Sequence, residues 1–339
     1  MSVGIAANDP RAEPVGAPPA PEPFRAPHHH VDGFLPIELA REMRAAIDRH
    51  FAEPYKQTAS VHQVWNYWFV PDMYTFLRTA PEKVIPMRLV QQFHAALSSW
   101  AWNVLGMGQV TQPYLSLYVD GCGQQLHNDA TNGRFGYVYS LTWEERDTKG
   151  GETMVLHEGD LYRQNLTNQM GGRRGLYELI EPKFNRLAIF DDRMPHGVNR
   201  IEGSMNPVHG RIVLHGHISE TGPGVRGGLS AVEVGAGVEE AANEALSGRE
   251  LSCDPHGPVV VRLSIGESGE VRQARLLLDR IAFTDGSSAQ GIADSILAAV
   301  GSRRFPASDQ PTEAIIPILL GGPLPWMLKR QEQASKPEA

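Results

Sequence analysis

Two polar residues two positions apart, His127 and Asp129 in the segment LHNDA, are the first candidates for chemistry in this sequence. In an extended backbone, side chains two residues apart project to the same side. The pair can therefore present an imidazole nitrogen and a carboxylate to one metal ion. By itself the pattern is weak evidence, because the chain contains 13 histidines and an H-x-D arises readily by chance.

A third candidate ligand follows an apolar run further along the chain. In NRLAIFDDRMPHGVNRI a predicted strand ends in a polar turn, and His196 comes directly after Pro195. A histidine in a surface loop is the plain alternative. Two histidines and one carboxylate on one face of a metal leave three positions open, which is the facial triad of non-haem Fe(II) oxygenases. Together with His127 and Asp129, His196 therefore predicts an open metal centre.

The segment VHGRIVLHGHI predicts a strand that carries a cation and several imidazoles. Alternation puts five residues on one face of it: His209, Arg211, Val213, His215 and His217. Such a face against a β-core is costly unless it serves a polar site, and a strand exposed on one face is the alternative. The open metal positions suit a bidentate 2-oxo acid and O₂. The planar fork of Arg211 suits the far carboxylate of that acid.

With these residues in order, the segment from about 31 to 219 resembles the prolyl-hydroxylase-like branch of the 2-oxoglutarate- and Fe(II)-dependent oxygenases. YVDGCGQQLHND resembles that family's tyrosine, glycine-rich turn and H-x-D, and GGETMVL resembles its glycine-glycine strand start. IEPKFNRLAIFDDRMPHGV resembles the segment with the second iron histidine, and GRIVLHGHI resembles the arginine strand. The resemblance implies a double-stranded β-helix, or jelly-roll, core that uses Fe(II), 2-oxoglutarate and O₂. Ascorbate is a candidate reductant.

The resemblance also implies a role for each matching residue. His127, Asp129 and His196 would bind the iron. Arg211 would hold the distal carboxylate of 2-oxoglutarate, and Tyr118, at the position of the family's tyrosine, would hydrogen-bond the cosubstrate. Since the carboxylate ligand is present, the resemblance favours a hydroxylase over a halogenase.

Other positions have less specific assignments. His215 and His217 fall on the strand face that lines the family's pocket, so we expect them beside the cosubstrate. An insertion around EGSMNPVHG lengthens the gap before Arg211, which leaves Arg200 as the alternative carboxylate clamp. Six aromatic residues are candidates for a pocket wall or for core packing: Trp65, Tyr67, Trp68, Tyr137, Tyr139 and Trp143.

The remaining sequence predicts a mainly β fold with flanking helices. Helical spacing of apolar residues predicts helices over 37–51 and 86–105. From about 113, short β-rich runs separated by Gly, Asn and Asp predict an all-β sandwich or barrel. A β-β-α-β pattern near the C-terminus predicts a small α+β domain, which weakly resembles the TonB C-terminal domain. We therefore expect a jelly-roll oxygenase core followed by a small C-terminal α+β domain.

The expected domain boundaries follow from composition. An Ala- and Pro-rich start predicts a disordered tail over 1–30, with His28, His29 and His30 as its solvated end. The oxygenase domain is expected over 31–220, and a linker with one helix near 238–247 over 221–256. The small α+β domain is expected over 257–325 and a polar tail over 326–339.

Composition limits the partners. The net charge of −8 without a long basic run argues against nucleic acid, and two distant cysteines argue against a zinc ribbon or a disulfide scaffold. We find no signal-peptide pattern and no membrane-length apolar stretch, so a cytoplasmic protein without a membrane partner is expected. The expected substrate is a side chain in a peptide or protein. A free amino acid or a natural-product intermediate is the alternative. The C-terminal domain is a candidate surface for a homodimer or a partner protein.

Two functions of other classes remain open. A cupin-like metalloenzyme that does not use 2-oxoglutarate would bind metal and turn over without the cosubstrate, and Arg211 would be dispensable. A non-catalytic binding protein that acts through its C-terminal domain would bind no iron.

Overall fold

The computed structural model describes residues 22–52, 64–156, 177–247, 249, 254–283 and 289–321. Within them the helices are α1 Ile37–Ala52, α2 Met87–Val104, α3 Ala231–Ser247 and α4 Ile292–Ser302. Nineteen strands are described in the same ranges: β1 His28–Asp32, β2 Asn66–Val70, β3 Tyr74–Thr79, β4 Gln109–Val110, β5 Tyr114–Tyr118, β6 Gly123–His127, β7 Phe135–Ser140, β8 Thr148–Lys149, β9 Thr153–Leu156, β10 Tyr177–Ile180, β11 Arg186–Asp191, β12 His196–Val198, β13 Glu202–Gly203, β14 Arg211–Ser219, β15 Gly224–Arg226, β16 Pro255–Ile265, β17 Val271–Asp279, β18 Ala282–Phe283 and β19 Thr312–Leu320.

Eight of these strands form two antiparallel layers. One layer has the order β5-β14-β7-β11, and the other has the order β6-β12-β9-β10. Strand β3 joins the layers at one end, because it pairs with β5 and with β6. Along the chain these eight strands alternate between the layers except for β9 and β10, which pair with each other in the second layer, and this is the topology of a jelly roll, or double-stranded β-helix. The predicted fold class is confirmed.

Alternation along β14 decides what each face of its layer does. Ile212, Leu214 and Ile218 are fully buried in the main hydrophobic core. That core includes the apolar stripe of α2, where the ring of Phe93 lies 5.0 Å from the ring of Tyr139. The opposite face carries Arg211 and the imidazoles, and it lines a cavity between the two layers. One strand therefore anchors the helix layer and supplies the polar wall.

Both helices predicted before the barrel are present, with ends within one residue of the predicted ones. Buried positions in α1 include Ala40, Met43 and Ile47, and those in α2 include Leu89 and Phe93. These spacings of three and four residues give each helix one apolar face. The faces pack in the same core as the barrel layer that contains β14.

Two expectations about irregular segments are wrong. His28–Asp32, expected to include the end of a disordered tail, is a strand that pairs with β11. Main-chain hydrogen bonds hold such an edge strand and need no apolar pattern. The segment expected as a linker contains the predicted helix, which is longer than expected (α3, 17 residues), and it also contributes β15, which pairs with β19, so it is not a linker. Residues 1–21 and the predicted tail at 326–339 lie outside the described residues.

Helix α3 belongs to the C-terminal unit because its small residues permit close packing. Val234, Val238 and Ala241 are buried in a cluster with residues of β16, β19 and α4. A Cβ added at Gly237 would lie 2.6 Å from the ring of Phe305, so glycine is needed at that contact. The low-complexity look of this segment therefore reflects tight helix packing.

The C-terminal unit contains β16, β17, α4 and β19 in the predicted β-β-α-β order. Strand β16 is central and pairs with both β17 and β19. Val260 and Ile315 belong to the same core cluster as the barrel helices. Gly106 of the barrel has φ +67°, and a Cβ there would lie 2.4 Å from Val260. The unit thus packs directly on the barrel, while its TonB resemblance stays a prediction.

A buried carboxylate also joins the unit to the barrel. Asp191, at the end of β11, accepts hydrogen bonds from Arg193 at 2.6 Å and 2.9 Å and from Arg280 of the C-terminal unit at 3.0 Å. Arg193 in turn donates to the main-chain oxygens of His256 and Arg280. These guanidinium groups lower the pKa of Asp191 against the effect of its burial.

None of the helices within the described residues is both long and apolar enough to cross a membrane.

Arg44 of α1 is a test of how the helix layer is attached. Its buried guanidinium donates to the main-chain oxygens of Leu141 and Val208, both at 2.7 Å, and to Asp48 at 2.8 Å. We expect Arg44→Met to lower the free energy of unfolding by about 2–4 kcal/mol, because it leaves these acceptors unpaired. Urea denaturation followed by circular dichroism measures this.

The matched control is Arg41→Met on the same helix, since Glu38, its ion-pair partner among the described residues, is exposed. Its expected change is within about 0.5 kcal/mol. Equal losses in the two variants would contradict the structural role of Arg44.

Candidate functional site

The structure brings His127, Asp129 and His196 together at one end of the barrel. His127 ends β6, His196 begins β12, and the two are directly opposite in the antiparallel pairing of these strands. Asp129 lies in the turn after β6. Its Oδ2 atom is 3.9 Å from Nε2 of His127 and 3.5 Å from Nε2 of His196. The three ligand atoms thus lie within 4.8 Å of one another.

Hydrogen bonds orient both histidines. Nδ1 of His127 lies 2.7 Å from the main-chain oxygen of Gln125, and Nδ1 of His196 lies 3.0 Å from that of Met194. A carbonyl oxygen only accepts, so both Nδ1 atoms donate, and the lone pairs remain on the Nε2 atoms. Metal-binding histidines in proteins are held in this way.

The electrostatics of this trio suit a cation. Burial and the neighbouring His196 lower the pKa of His127, which keeps its ring neutral. Burial raises the pKa of Asp129, but a protonated His196, which carries a charge and donates from Nε2, outweighs burial and lowers that pKa to about 2. A metal ion would take the place of that proton and leave the lone pair of Nε2 as a ligand. Two neighbouring ligand atoms that each bind one metal ion at about 2.1 Å lie about 3 Å apart. The ligand atoms here are slightly further apart than that, so a small movement of the side chains would let all three bind the same ion. Three converging acceptors fit a divalent metal ion with open positions.

Arg211 lies on the wall of the cavity beside this trio. It begins β14 opposite Tyr118 of β5, and its side chain is almost fully buried. Its Nη2 donates to Thr153 Oγ1 at 3.0 Å, and its Nε has no hydrogen-bond partner. Within the described ranges no carboxylate forms an ion pair with it. A buried guanidinium with a free donor suits an anionic ligand.

The alternative clamp, Arg200, is exposed and is not part of the cavity wall. Tyr118 is buried beneath the guanidinium, 4.8 Å from ring centroid to the Cζ atom of Arg211. Burial raises the pKa of Tyr118 to about 12, although Arg211 acts in the opposite direction. The phenol is therefore neutral at neutral pH and keeps a proton to donate.

His215 and His217 both line the cavity, as their strand face predicts. Nε2 of His215 lies 2.8 Å from Ser116 Oγ. Nδ1 of His217 lies 2.9 Å from Oδ2 of Asp192. Burial lowers the pKa of His217, but the bond and charge of Asp192 outweigh it and raise that pKa. The two imidazoles thus differ: burial lowers the pKa of His215 and keeps its ring neutral, whereas the raised pKa of His217 favours the cation.

Asp192 is a residue that the sequence analysis missed. It is fully buried, and its main-chain oxygen accepts a hydrogen bond from the N–H of Asp129 at 2.9 Å. It therefore supports the turn that presents Asp129, and its side chain also orients His217. The doubled acid at the end of FDD was a usable signal, because a carboxylate directly after a buried strand needs a partner.

Several other predicted residues lie elsewhere. His209, expected on the strand face, is in a 3₁₀ turn, Pro207–His209, and accepts a hydrogen bond from the N–H of Asp147. That prediction is wrong because the turn ends before β14 starts. Tyr139 is in the core and donates to Asn185 at 2.8 Å, whereas Tyr137 reaches the cavity edge. Of the four Trp and Tyr candidates outside the barrel strands, Trp65, Tyr67, Trp68 and Trp143, the described cavity wall contains Trp68 alone.

The comparisons with known proteins add structural neighbours. No family model matches the chain, and neither does a curated protein. Among solved structures, a prolyl-4-hydroxylase of Pseudomonas putida is 18% identical with a TM-score of 0.41, covering 58% of this chain and 94% of that one.

A prolyl hydroxylase of Trichoplax adhaerens, solved with a hypoxia-inducible-factor peptide fragment, is 14% identical with a TM-score of 0.39, over 56% of this chain and 81% of that one. The non-haem α-ketoglutarate-dependent epimerase SnoN from nogalamycin biosynthesis is 16% identical with a TM-score of 0.39, over 56% and 76%. The fold assignment rests on the strand order of this chain itself.

The trio makes a direct prediction about metal binding. Loss of a group that only orients a metal ligand typically lowers metal affinity about 10- to 100-fold. Asp129→Asn removes a charged ligand itself, so we expect the affinity for Fe(II) to fall at least about 100-fold. Anaerobic titration with Fe(II), repeated with Co(II) as an optical probe, measures the affinity. The exposed Asp309 supplies the control Asp309→Asn, for which wild-type affinity is expected. Unchanged affinity in Asp129→Asn rules out the proposed centre.

The buried His215 makes a prediction about pH. Burial, followed by the charges of Arg78 and Arg211, lowers its pKa from 6.5 to about 3. Between these values the unfolded chain binds one more proton, so stability falls as the pH is lowered. We expect a loss of up to about 2 kcal/mol between pH 7 and pH 5 from this group. Urea unfolding at pH 7, 6 and 5 should show a shallower slope in His215→Gln, and parallel slopes refute the prediction.

Proposed function

We propose that this protein is an Fe(II)- and 2-oxoglutarate-dependent dioxygenase. The observation that carries the proposal is one cavity that combines two features. His127, Asp129 and His196 converge as an open set of metal ligands. Arg211, buried on the same wall, keeps a free N–H donor and has no carboxylate partner within the described residues. A metal centre and a separate anion clamp are what a bidentate 2-oxo acid with a second carboxylate requires.

Each residue of the chain has a task in this proposal. The trio would hold the iron, and Asp192 would steady the turn of Asp129. Arg211 would pair with the far carboxylate of 2-oxoglutarate, with its fork kept in place by Thr153. Tyr118, which holds its proton, would donate a hydrogen bond to the cosubstrate.

When bound, iron and 2-oxoglutarate supply the oxidising chemistry, in which O₂, 2-oxoglutarate and a substrate C–H bond give succinate, CO₂ and a hydroxylated product. One oxygen atom enters succinate and the other enters the product. The protein would hold the substrate carbon beside the metal ligands. Ascorbate would act as reductant after turnover without substrate.

The substrate has two candidate classes. The resemblance to prolyl hydroxylases favours a side chain in a peptide or protein. The cavity wall favours a small acid instead, because Arg78 on that wall has no carboxylate partner among the described residues. A homodimer or partner protein that uses the C-terminal unit remains a prediction, as does a cytoplasmic location.

The central test is succinate formation from 2-oxoglutarate with Fe(II) and ascorbate. We expect Arg211→Gln to raise the KM for 2-oxoglutarate about 30- to 1,000-fold, because about 2–4 kcal/mol of charged hydrogen bonding is lost. Arg200→Gln is the matched control, since Arg200 is exposed and off the cavity wall. Its KM should equal that of the wild type.

Three outcomes separate the classes of function. Turnover that needs no 2-oxoglutarate and survives Arg211→Gln identifies a cupin-like metalloenzyme. Absence of iron binding in the wild type identifies a non-catalytic protein. A KM effect in Arg200→Gln and not in Arg211→Gln moves the clamp to the other arginine.

A further inference from the structure

A second guanidinium on the cavity wall, that of Arg78, has no part in the proposed iron or cosubstrate site. We propose that Arg78 binds a carboxylate of the substrate, and that the substrate is a small carboxylic acid and not an internal peptide side chain. This inference rests on the proposed function for the oxidation itself, but it can be tested by binding alone.

Neighbouring aromatic side chains fix the position of the Arg78 guanidinium. It lies in β3, opposite Ser116 of β5. Its Cζ atom is 3.7 Å from the ring centroid of Trp68 and 4.1 Å from that of Tyr114. Two aromatic faces therefore hold the planar guanidinium from two sides. Such a clamp fixes the cation and covers its faces, while the N–H groups at its edge stay available.

Those N–H groups have no protein partner among the residues that the structure describes. No hydrogen bond or ion pair of the Arg78 side chain to a described residue is found, although the side chain is half-buried. Burial lowers the pKa of Arg78, which measures the cost of keeping the charge there. Arg134 shows the usual solution, since its Nε and Nη2 atoms each donate to Glu220 at 2.8 Å.

The charges along the described cavity wall leave Arg78 unbalanced. That wall contains two guanidinium groups and one carboxylate, Asp129. In the proposed site, a divalent iron with Asp129, together with Arg211 and doubly charged 2-oxoglutarate, is neutral. His215 is kept neutral by its depressed pKa, and the charge of a protonated His217 is offset by its partner Asp192. One positive charge remains, and a substrate with one carboxylate would neutralise it.

Arg78 and Arg211 are held at different places on the cavity wall: Arg78 lies against Trp68 and Tyr114, whereas Arg211 donates to Thr153 and lies over Tyr118. Arg211 is opposite Tyr118 and Arg78 is opposite Ser116, on the two sides of β5. Strand spacing of about 4.8 Å and a rise of about 3.3 Å per residue put their Cα atoms about 12 Å apart. The two cations therefore suit two ligands, the cosubstrate and the substrate.

The size of the cavity favours a small substrate. Its volume is about 220 Å³. Pockets for drug-sized ligands span about 300–1,000 Å³, so this cavity is below that range. A residue inside a peptide offers a carboxylate only if it is Asp or Glu, whereas every free amino acid carries one. A free amino acid or a small carboxylated intermediate therefore fits the wall better than a peptide.

The test compares matched acids and amides on the full chain. The probes are the twenty protein L-amino acids and a set of small mono- and dicarboxylic acids, each with its carboxamide. Isothermal titration measures binding, first to the protein alone and then anaerobically with Fe(II) and 2-oxoglutarate. We expect at least one acid to bind about tenfold or more tightly than its amide. A panel in which no acid binds more tightly than its amide overturns the proposal.

Variants locate the effect. Arg78→Gln should remove the preference for the acid and leave the weaker amide binding as it is, whereas Arg78→Lys should keep part of the preference. Arg88→Gln is the control, because Arg88 is exposed on α2 and pairs with Glu42. An acid preference that survives Arg78→Gln overturns the proposal. So does a loss of 2-oxoglutarate binding in Arg78→Gln that Arg211→Gln does not show, because it assigns Arg78 to the cosubstrate.

The result does not depend on the oxidation. The acid–amide comparison on wild-type protein needs neither turnover nor a folded variant. A failed succinate assay would disprove the proposed chemistry and leave the acid preference measurable. Conversely, normal succinate formation with equal acid and amide binding would disprove the inference and leave the proposed function intact.

Discussion

The antiparallel pairing of β6 with β12 is the constraint on which the site depends. It sets His196 directly opposite His127, with ring centroids 4.6 Å apart. Main-chain oxygens take the Nδ1 protons of both rings, so their lone pairs meet the carboxylate of Asp129. Three acceptors at one point are unfavourable without a donor or a cation. The barrel therefore builds a site whose electrostatics a metal ion would complete.

The remaining polar groups divide by whether the protein completes them. Arg44 has three partners and fastens the helix layer to the barrel. Asp191 is paired by two arginines, one from each unit, next to the segment that carries His196. Arg78 and Arg211, on the cavity wall, lack carboxylate partners within the described residues. Burial of a charge is tolerated when it is paired, so the incompletely paired cations are where we propose that anionic ligands bind.

Much of the fold can be predicted from the local spacing of apolar residues. The spacing of apolar residues in α1 and α2 placed both helices within one residue, because each helix buries one face and its own sequence records that face. Alternation along β14 likewise separated the polar wall from the core. The errors fell on segments without such a record. Strand β1 is held by main-chain bonds to β11. Helix α3 was expected only near 238–247, and its earlier turns were assigned to a linker because the helix is rich in Gly and Ala, which permit its close packing.

The sequence by itself determined the types of residue in the site: two histidines and an aspartate in metal-ligand order, and an arginine at the start of a strand with a polar face. Tertiary structure decided between Arg211 and the alternative Arg200, since the insertion between them left the choice of clamp open in the sequence. It also showed that Asp192 supports Asp129 and that Arg78 is clamped by Trp68 and Tyr114. The physical reason is the sequence separation between contacting residues. Periodicity shows only whether a residue lies on the buried face of its own helix or strand. Its contact partners lie on strands far away in the sequence, and the pairing of those strands determines which residues meet.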